Sequence, residues 1–290
     1  AALAVNARKL VAHGVVGAAW AQNIGVRVET LGMIAFALIP VIRRTFNVLD
    51  WKLRIGQMRM LLKIGIPSGI QIVAEVLAWS MFINVVMSSF GTPGMAANNF
   101  VFRYMAVSFM PAFGIGIAVT ALVGRYIGRG EPQIAMSRAH LGFVVSMIYM
   151  VFCGAMFFIF RRELIGRFTD APRVLAIGAT ILCFAALYQL FDAMYLIYSS
   201  ALRGAGDTLT PAIVTAALCW TLTVGGGYWV ASRFPRLGPA GPWIMATAYG
   251  AILGIFMLTR FSRGKWRRIH LERPANSNVD APSTTLLATE

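Results

Sequence analysis

Residues 174–202 read VLAIGATILCFAALYQLFDAMYLIYSSAL, and Asp192 is the single charged side chain among them. A helix over these residues is about 44 Å long, because each residue of an α-helix adds about 1.5 Å. The hydrocarbon core of a bilayer is about 30 Å thick, so about 20 apolar residues suffice to cross it. The stretch therefore predicts a helix that crosses a membrane.

Five more stretches have the same apolar character, with one charged residue or none in the interior. They are residues 64–90, 94–124, 139–160, 208–232 and 237–259. The short connection over 91–94, Gly-Thr-Pro-Gly, is typical of a turn and favours antiparallel neighbours. An earlier stretch, 15–42, is also predicted to span, although it carries Arg27 and Glu29. The sequence thus predicts an all-α polytopic membrane protein, an antiparallel bundle of transmembrane helices in a lipid bilayer.

The composition of the 290-residue chain excludes most other protein classes. Apolar residues make up 58% of the chain and charged residues 13%, whereas soluble domains have about 25% charged residues. The 11 acidic residues are too few to cover the surface of a soluble fold of this size. The 3 cysteines and 3 histidines show no metal-ligand spacing, so we expect no disulfide scaffold, resident metal or cofactor.

The basic residues, which give a net charge of +15, concentrate on one side of the predicted membrane. Segments 43–63 and 125–138, the turn after 202 and the tail from 260 hold 16 Lys and Arg residues, while the opposite connections hold 6. Because cytoplasmic loops are enriched in Lys and Arg, we expect a multi-pass protein of the cell membrane with a cytoplasmic 43–63 linker and C-terminus. Charge spread over membrane flanks argues against a nucleic-acid-binding surface.

Three of the apolar stretches carry polar or aromatic side chains on one helical face. The sets are Gln71, Glu75 and Trp79; Tyr188 and Asp192, flanked by Gln189 and Tyr195; and Asn99 and Arg103. Residues four apart lie one above the other on a helix. Ionisable groups inside membrane spans usually face a partner or a water-filled cavity. These faces are therefore the predicted functional surface.

Two interpretations of the buried charges remain open at this point. In the structural one, Arg103 pairs with one carboxylate and fastens two helices together. In the functional one, the carboxylates of Glu75 and Asp192 outnumber the guanidinium, and a bound cation or a proton balances the excess negative charge. The second interpretation predicts a cation- or proton-coupling site, with transient Na+ binding at Glu75 and Asp192.

An intramembrane aspartyl protease is one enzyme that this pattern suggests. Residues 204–207, Gly-Ala-Gly-Asp, look like a protease motif, with Asp192 as the second aspartate. A carboxylate pair that shares a proton needs a separation of about 3 Å. Fifteen residues of largely helical chain separate Asp192 and Asp207 by about 20 Å along the axis. We therefore expect no enzyme.

Three longer runs of sequence are specific as a set. They are Leu62-Lys63-Ile64-Gly65-Ile66-Pro67; Phe109-Met110-Pro111-Ala112-Phe113-Gly114 leading to Val123-Gly124-Arg125-Tyr126-Ile127-Gly128-Arg129-Gly130; and Leu202-Arg203-Gly204-Ala205-Gly206-Asp207-Thr208 followed by Pro211. In this order they resemble the MATE (multidrug and toxic compound extrusion) transporters. The third run resembles that family's loop motif, in Arg203, Gly204, Gly206, Asp207 and Pro211.

The resemblance implies an architecture of two six-helix lobes with a drug cavity between them. Residues 1–14 then end a truncated preceding helix, and 15–42 form the sixth helix of the family. The 43–63 linker leads into a C-terminal lobe over 64–262, and the tail over 263–290 is expected to be cytoplasmic and disordered. On this expectation the chain is the C-terminal part of a transporter, and its missing partner is the N-terminal lobe.

The resemblance to the NorM-type branch also points to individual residues. That branch has a carboxylate eight residues after a helix proline, which corresponds here to Glu75 after Pro67. It also has a Tyr-Gln-x-x-Asp run, which corresponds to Tyr188 through Asp192. Glu75, Asp192 and Tyr188 are thus implied to couple Na+ or H+. Charge partners or polar lining residues are expected at Arg103, Asn99, Gln71 and Gln189.

The implied function is that of a cation-coupled antiporter that exports drugs or other amphipathic or cationic organic compounds by alternating access. Candidate cavity aromatics are Trp79, Phe82 and Tyr195. Two alternatives remain open. One is a flippase for lipid-linked precursors from the same wider superfamily, which needs a cationic cavity, and the other is a membrane fragment that transports nothing by itself.

Overall fold

The computed structural model describes residues 14–40 and 55–268, which are helical and contain no strand. The helices are α1 (Gly14–Ala37), α2 (Ile55–Met81), α3 (Gly91–Gly128), α4 (Pro132–Ile159), α5 (Arg161–Gly166), α6 (Pro172–Gly204), α7 (Leu209–Leu218), α8 (Gly227–Arg233) and α9 (Ala240–Ser262). Two π-helical segments, Phe82–Val86 and Cys219–Gly226, continue α2 and connect α7 to α8. Helix α1 belongs to one compact unit, and the remaining helices form a second.

In the described part of the chain, five helical stretches are long and apolar enough to cross a membrane. They are Gly65–Gly128, Pro132–Ile159, Pro172–Gly204, Leu209–Arg233 and Ala240–Ser262. The prediction of an all-α bundle of apolar helices is confirmed. Helix α1 is not among the five, so the predicted span over 15–42 stays a prediction.

The first of these stretches contains a reversal of the chain. Its 64 residues would reach about 96 Å as one straight helix, three times the hydrocarbon thickness. The continuity breaks at Gly91, whose φ of 73° favours glycine. Beyond the break α3 returns beside α2, because the rings of Trp79 and Phe102 lie 5.5 Å apart between centroids. The stretch therefore forms two antiparallel arms, as the apolar windows predict.

The helices begin earlier than the apolar windows suggest. Helix α2 begins at Ile55 instead of 64, and α4 begins at Pro132 instead of 139. The predicted turn over 91–94 is shifted, because α3 already begins at Gly91. Apolar composition marks the part of a helix that lies in lipid, whereas the helix itself continues through charged flanking residues such as Arg138.

The first residues of the predicted disordered tail are ordered. Residues Lys265–Arg268 form a 3-10 turn, and the Trp266 ring stacks on Phe261 with 5.2 Å between centroids. The Trp266 Nε1–H donates to the Phe261 carbonyl over 2.8 Å. A large ring directly after α9 thus buries itself against the bundle, and the prediction of disorder is wrong here. Residues 269–290 lie outside the described part.

Helix α6 is the centre of the second unit and packs against α3, α4, α5 and α9. Small residues allow its backbone to approach α3 closely. Gly116 of α3 contacts Ser200 of α6, and Gly204 of α6 packs against the backbone carbonyl of Thr120 on α3. The Thr120 hydroxyl donates to the Ser200 carbonyl over 3.0 Å. Such small-residue crossings are typical of helix association in membranes, where close van der Waals packing replaces the hydrophobic effect.

Helix α2 is attached in a different way. Within the described residues its backbone does not approach that of another helix closely along a shared face. No atom of the described residues lies within 4 Å of a Cβ added at Gly65 or Gly69. Long side chains bridge the gap, above all those of Gln71, Glu75 and Trp79. Helix α2 is thus held by a few polar and aromatic contacts rather than by interlocked backbones.

Candidate functional site

A carboxylate on α2 is the centre of the candidate site. The Tyr195 hydroxyl of α6 donates to Oε2 of Glu75 over 2.7 Å. The Tyr249 hydroxyl of α9 donates to Oε1 over 3.1 Å. Each carboxylate oxygen therefore has a hydroxyl donor from a different helix. The three helices meet at this one side chain.

A second layer of hydrogen bonds adds a fourth helix. The Gln71 amide, one turn before Glu75 on α2, donates to the Tyr195 hydroxyl over 3.0 Å and to the Thr215 hydroxyl of α7 over 3.4 Å. Gln71 is buried, with 3% of its surface exposed. The Tyr195 hydroxyl accepts a hydrogen bond from Gln71 and donates one to Glu75. The Gln71 amide therefore orients this hydroxyl toward the Glu75 carboxylate.

A second carboxylate lies on the same face of α6 as Tyr195. Asp192 is 6% exposed, and no hydrogen bond or ion pair to its side chain occurs among the described residues. It is close enough to Glu75 for electrostatic repulsion between the two carboxylates. One turn away, the buried Tyr188 ring packs against Gly250 and edge-on against Trp79. The structure thus brings Glu75, Asp192 and Tyr188 together, as the sequence predicts.

Within residues 14–40 and 55–268, no basic side chain forms an ion pair with the carboxylates of this site. Arg203, at the end of α6, attracts Glu75 electrostatically but forms no ion pair with it in the described chain. Two carboxylates in an apolar bundle require a counter-charge, because a buried charge without a partner is costly. Carboxylate and hydroxyl oxygens are the ligands that hard cations such as Na+ favour. The arrangement is therefore suited to bind a cation or a proton.

Arg103 does not lie in this site. Its side chain is exposed on α3, one turn from the exposed Asn99, and both line an open groove on that face. No ion pair joins Arg103 to Glu75 or Asp192. The pairing considered from the sequence is therefore absent, because helical spacing predicts which residues share a face but not the direction of that face.

Three other residues that the sequence places at the site pack against neighbouring helices. The Gln189 amide is 1% exposed and donates to the Ser108 hydroxyl of α3, so it joins α6 to α3. Phe82 is fully buried and packs edge-on against Trp243, which contradicts its predicted place in a substrate cavity. Trp79 is half-buried and contacts both Tyr188 and Tyr249, so it supports the site from α2.

Comparison with known proteins identifies the family. The model of the MatE family matches residues 67–229, more than half of the chain. The chain belongs to the MatE family. This confirms the resemblance drawn from the sequence and, with it, a multi-pass membrane protein of a transporter family rather than an enzyme.

Individual relatives agree with the MatE family assignment. A probable multidrug resistance protein NorM from Thermotoga maritima is 32% identical over 208 residues, 72% of this chain and 44% of that protein. The multidrug resistance protein PmpM of Pseudomonas aeruginosa is 28% identical over 276 residues, 92% of this chain and 57% of that protein. This chain thus spans about half the length of the relatives that it matches.

A solved MatE structure shows the same fold. It is an outward-facing conformation of a multidrug resistance MATE family transporter of the MOP superfamily. The TM-score is 0.75 at 18% sequence identity, with coverage of 89% of this chain and 58% of that chain. At this identity the comparison concerns the fold alone.

The loop motif of the MatE chain connects α6 to α7 and α9. Gly206, with a φ of 81°, follows the last residues of α6, and the Asp207 amide donates back to the Leu202 carbonyl. The Asp207 carboxylate does not cap α7. It accepts from Nε of Arg260 over 2.7 Å, and the same guanidinium donates to the Thr210 hydroxyl over 2.8 Å. Pro211 is buried in the first turn of α7.

We expect Asp207→Ala to lower the melting temperature by about 5 °C, because a charged hydrogen bond contributes about 2 kcal/mol. The buried carboxylate, 6% exposed, would be removed while its partner Arg260 stays in place. The measurement is thermal unfolding of the detergent-purified protein. The double variant Asp207→Ala/Arg260→Met should recover part of the loss, and exposed Asp170→Ala is the matched control. Equal stability of Asp207→Ala and Asp170→Ala would contradict the structural role of the ion pair.

Sequence reasoning missed several site residues on later helices. Tyr249 and Thr215 donate or accept in the hydrogen-bond network, and the buried Cys219 lies beside Tyr249 in the same core. Each lies in a stretch without charged residues, where a hydroxyl or thiol does not stand out. The available signal was the position of Tyr249 near the middle of an apolar helix, because buried tyrosines usually direct their hydroxyl to a partner.

Proposed function

We propose that this chain forms the ion-coupling part of a cation-driven exporter of organic compounds. The observation that carries the proposal is the pair of carboxylates, half-buried Glu75 and buried Asp192, which lie in an apolar bundle without a basic partner among the described residues. The names of the relatives, which are multidrug resistance proteins, support export of drugs. Since those relatives are about twice as long as the matched stretch, transport is proposed for a protein that contains this chain as one part.

The coupling ion is proposed to be Na+ or H+, bound at Glu75 and Asp192. A proton on either carboxylate, or a cation between them, removes the repulsion between the two groups. This changes the free energy of holding α2 against α6 and α9, since Glu75 is a main attachment of α2. A ligand drives a conformational change only if it binds the two conformations with different affinity. Because α2 is attached through Glu75, a cation or proton bound there should have a different affinity for the conformation in which α2 is attached and the one in which it is released.

Alternating access then follows as a reciprocal linkage. If the cation and the substrate favour opposite conformations, binding of one lowers the affinity for the other by the same factor. We propose that the cation enters from the outside and the organic compound is released there. The orientation, with the 43–63 linker and the C-terminus in the cytoplasm, rests on the excess of Lys and Arg in those segments.

The test is gradient-driven efflux by the protein expressed from its complete gene. In everted membrane vesicles, accumulation of a fluorescent organic cation such as ethidium is measured with a Na+ gradient alone and with a pH gradient alone. We expect one of the two gradients to drive transport. Asp192→Asn should lower the driven rate about tenfold. A factor of this size corresponds to a typical coupling free energy. The amide is isosteric but holds no negative charge.

The matched control is Asp170→Asn, an exposed acid outside the predicted spans, which should transport like the wild type. Vesicles must contain equal amounts of each variant, as measured by immunoblot. The proposal fails if neither gradient drives transport by the wild type, or if Asp192→Asn keeps the full driven rate.

A further inference from the structure

The connection between α4 and α6 is an exception to the charge asymmetry of the chain. It lies at the end of the bundle opposite the turn after 202, because α6 runs from one to the other. The arginines of this connection are Arg161, Arg162, Arg167 and Arg173, and its acids are Glu163 and Asp170. Basic residues at this end oppose the orientation that the other basic segments favour. Their presence therefore indicates a role other than setting the orientation.

Contacts with two helices hold this connection in place. Short helix α5 buries Ile165 against α6. The Phe168 ring stacks on Phe100 of α3 with 4.7 Å between centroids. The Tyr104 hydroxyl of α3 donates to the Leu164 carbonyl over 2.8 Å. The arginines thus extend from a backbone that is attached to both α3 and α6.

The guanidinium groups have no carboxylate partner in the part of the chain that the structure describes. Nη1 of half-buried Arg161 donates to the Phe158 carbonyl over 2.8 Å, and its guanidinium carbon lies 5.0 Å from the centroid of that ring. Arg162 and Arg167 are exposed. Neither these arginines nor the two acids of the connection form an ion pair within residues 55–268. The positive charges are therefore available to an external anion.

Exposed aromatic rings mark the depth of this end of the bundle in the membrane. The span over Leu209–Arg233 starts where α6 ends, so its last residues lie at the same end as α5. The exposed rings at this end are those of Phe158, Phe160, Phe168, Tyr228, Trp229 and Phe234. Trp and Tyr are enriched at the depth of the lipid headgroups. The arginines of the connection therefore lie at the level of the headgroup phosphates.

We propose that the connection between α4 and α6 binds the headgroups of anionic phospholipids through Arg161, Arg162 and Arg167. A planar guanidinium suits two parallel hydrogen bonds to a phosphate. The arginines of the connection outnumber its acids, so the segment favours a lipid with a net negative charge over a neutral one. The occupant is a lipid rather than a soluble anion because the aliphatic stems of the arginines lie beside the exposed rings, where acyl chains begin. This inference goes beyond the proposed export function and holds whichever ion drives it.

The test is local hydrogen–deuterium exchange in the protein expressed from its complete gene. Mass spectrometry follows the backbone amides of a peptide over 160–172 in nanodiscs of neutral phosphatidylcholine and in nanodiscs that also contain phosphatidylglycerol. We expect phosphatidylglycerol to slow this exchange at least about fivefold, the factor that one arginine contributes at an anionic surface. Arg161→Gln/Arg162→Gln/Arg167→Gln should exchange equally in both lipids. The corresponding triple lysine variant should keep part of the effect, because it retains the charge.

The matched control is Arg125→Gln/Arg129→Gln/Arg138→Gln, which removes three exposed arginines at the opposite end of the bundle. It should keep the full lipid effect over 160–172. Equal exchange of the wild type in both lipids would overturn the proposal, as would a lipid effect that persists in the triple glutamine variant at 161, 162 and 167. A third arm adds inorganic phosphate to nanodiscs of phosphatidylcholine. If free phosphate slows the exchange as much as phosphatidylglycerol does, the segment binds soluble anions and the assignment to a lipid is overturned.

Discussion

Glu75→Gln is expected to reduce gradient-driven efflux to the background of cells without the gene. Glutamine has nearly the same shape and keeps one carbonyl oxygen for a tyrosine hydroxyl, so α2 should remain attached. It is neutral at every pH and neither takes up a proton nor attracts a cation. The repulsion between Glu75 and Asp192, on which the proposed coupling depends, would be absent throughout the cycle. The measurement is the driven rate in everted vesicles.

Two further variants separate the charge of Glu75 from its position. Glu75→Asp keeps the charge but is shorter by one methylene, so it should lose one of the hydrogen bonds to Tyr195 and Tyr249 and retain a reduced rate. Glu163→Gln changes an exposed acid on α5 and should leave the rate unchanged. Driven efflux by Glu75→Gln at more than a small fraction of the wild-type rate would show that the coupling ion binds elsewhere.

Gly204→Val is expected to prevent accumulation of the folded protein. An added Cβ at Gly204 would collide with the backbone carbonyl of Thr120. A carbonyl in a helix cannot rotate aside, and this helix crossing is further fixed by the hydrogen bond from Thr120 to Ser200. Overpacking of this kind costs about 3 kcal/mol, a large part of a typical folding free energy of about 5–15 kcal/mol.

The readout for Gly204→Val is the yield of monodisperse protein in size-exclusion chromatography, together with its melting temperature. Gly114→Val is the matched control, since Gly114 lies on α3 and a Cβ added there has no neighbour within 4 Å in the part of the chain that the structure describes. It should express normally. Gly204→Ala should be intermediate in melting temperature because it adds the Cβ alone. A normal yield of Gly204→Val would mean that α3 and α6 cross at a greater distance than the structure shows.

Much of the fold was predictable because the membrane acts as a simple solvent. A stretch of about 20 apolar residues has few alternatives to a spanning helix, so the six apolar windows were found. Helix ends were not found, since charged residues beyond the lipid continue α2 and α4 without any change of secondary structure. Trp266 was missed because a single ring in a polar tail has no periodicity.

The candidate site was predictable only in part, for a related reason. Glu75 and Asp192 stand out because charge is rare in apolar stretches, and their spacing placed Tyr188 and Tyr195 beside them. Tyr249 is separated from Glu75 by 174 residues, and no local pattern connects positions so far apart. Phe82 was misplaced because the face direction is set by tertiary packing, and here it begins a π-helical segment.

The attachment of α2 also has a consequence for the order in which the protein is made. Glu75 leaves the ribosome 120 residues before Tyr195 and 174 residues before Tyr249. At about 5–20 residues per second, the second interval lasts about 9–35 s. Until Tyr249 is made, the Glu75 carboxylate lacks one or both of its hydroxyl partners, so water or a proton has to shield it. The bundle is therefore completed from its end, and the ion site is among the last parts of the protein to form.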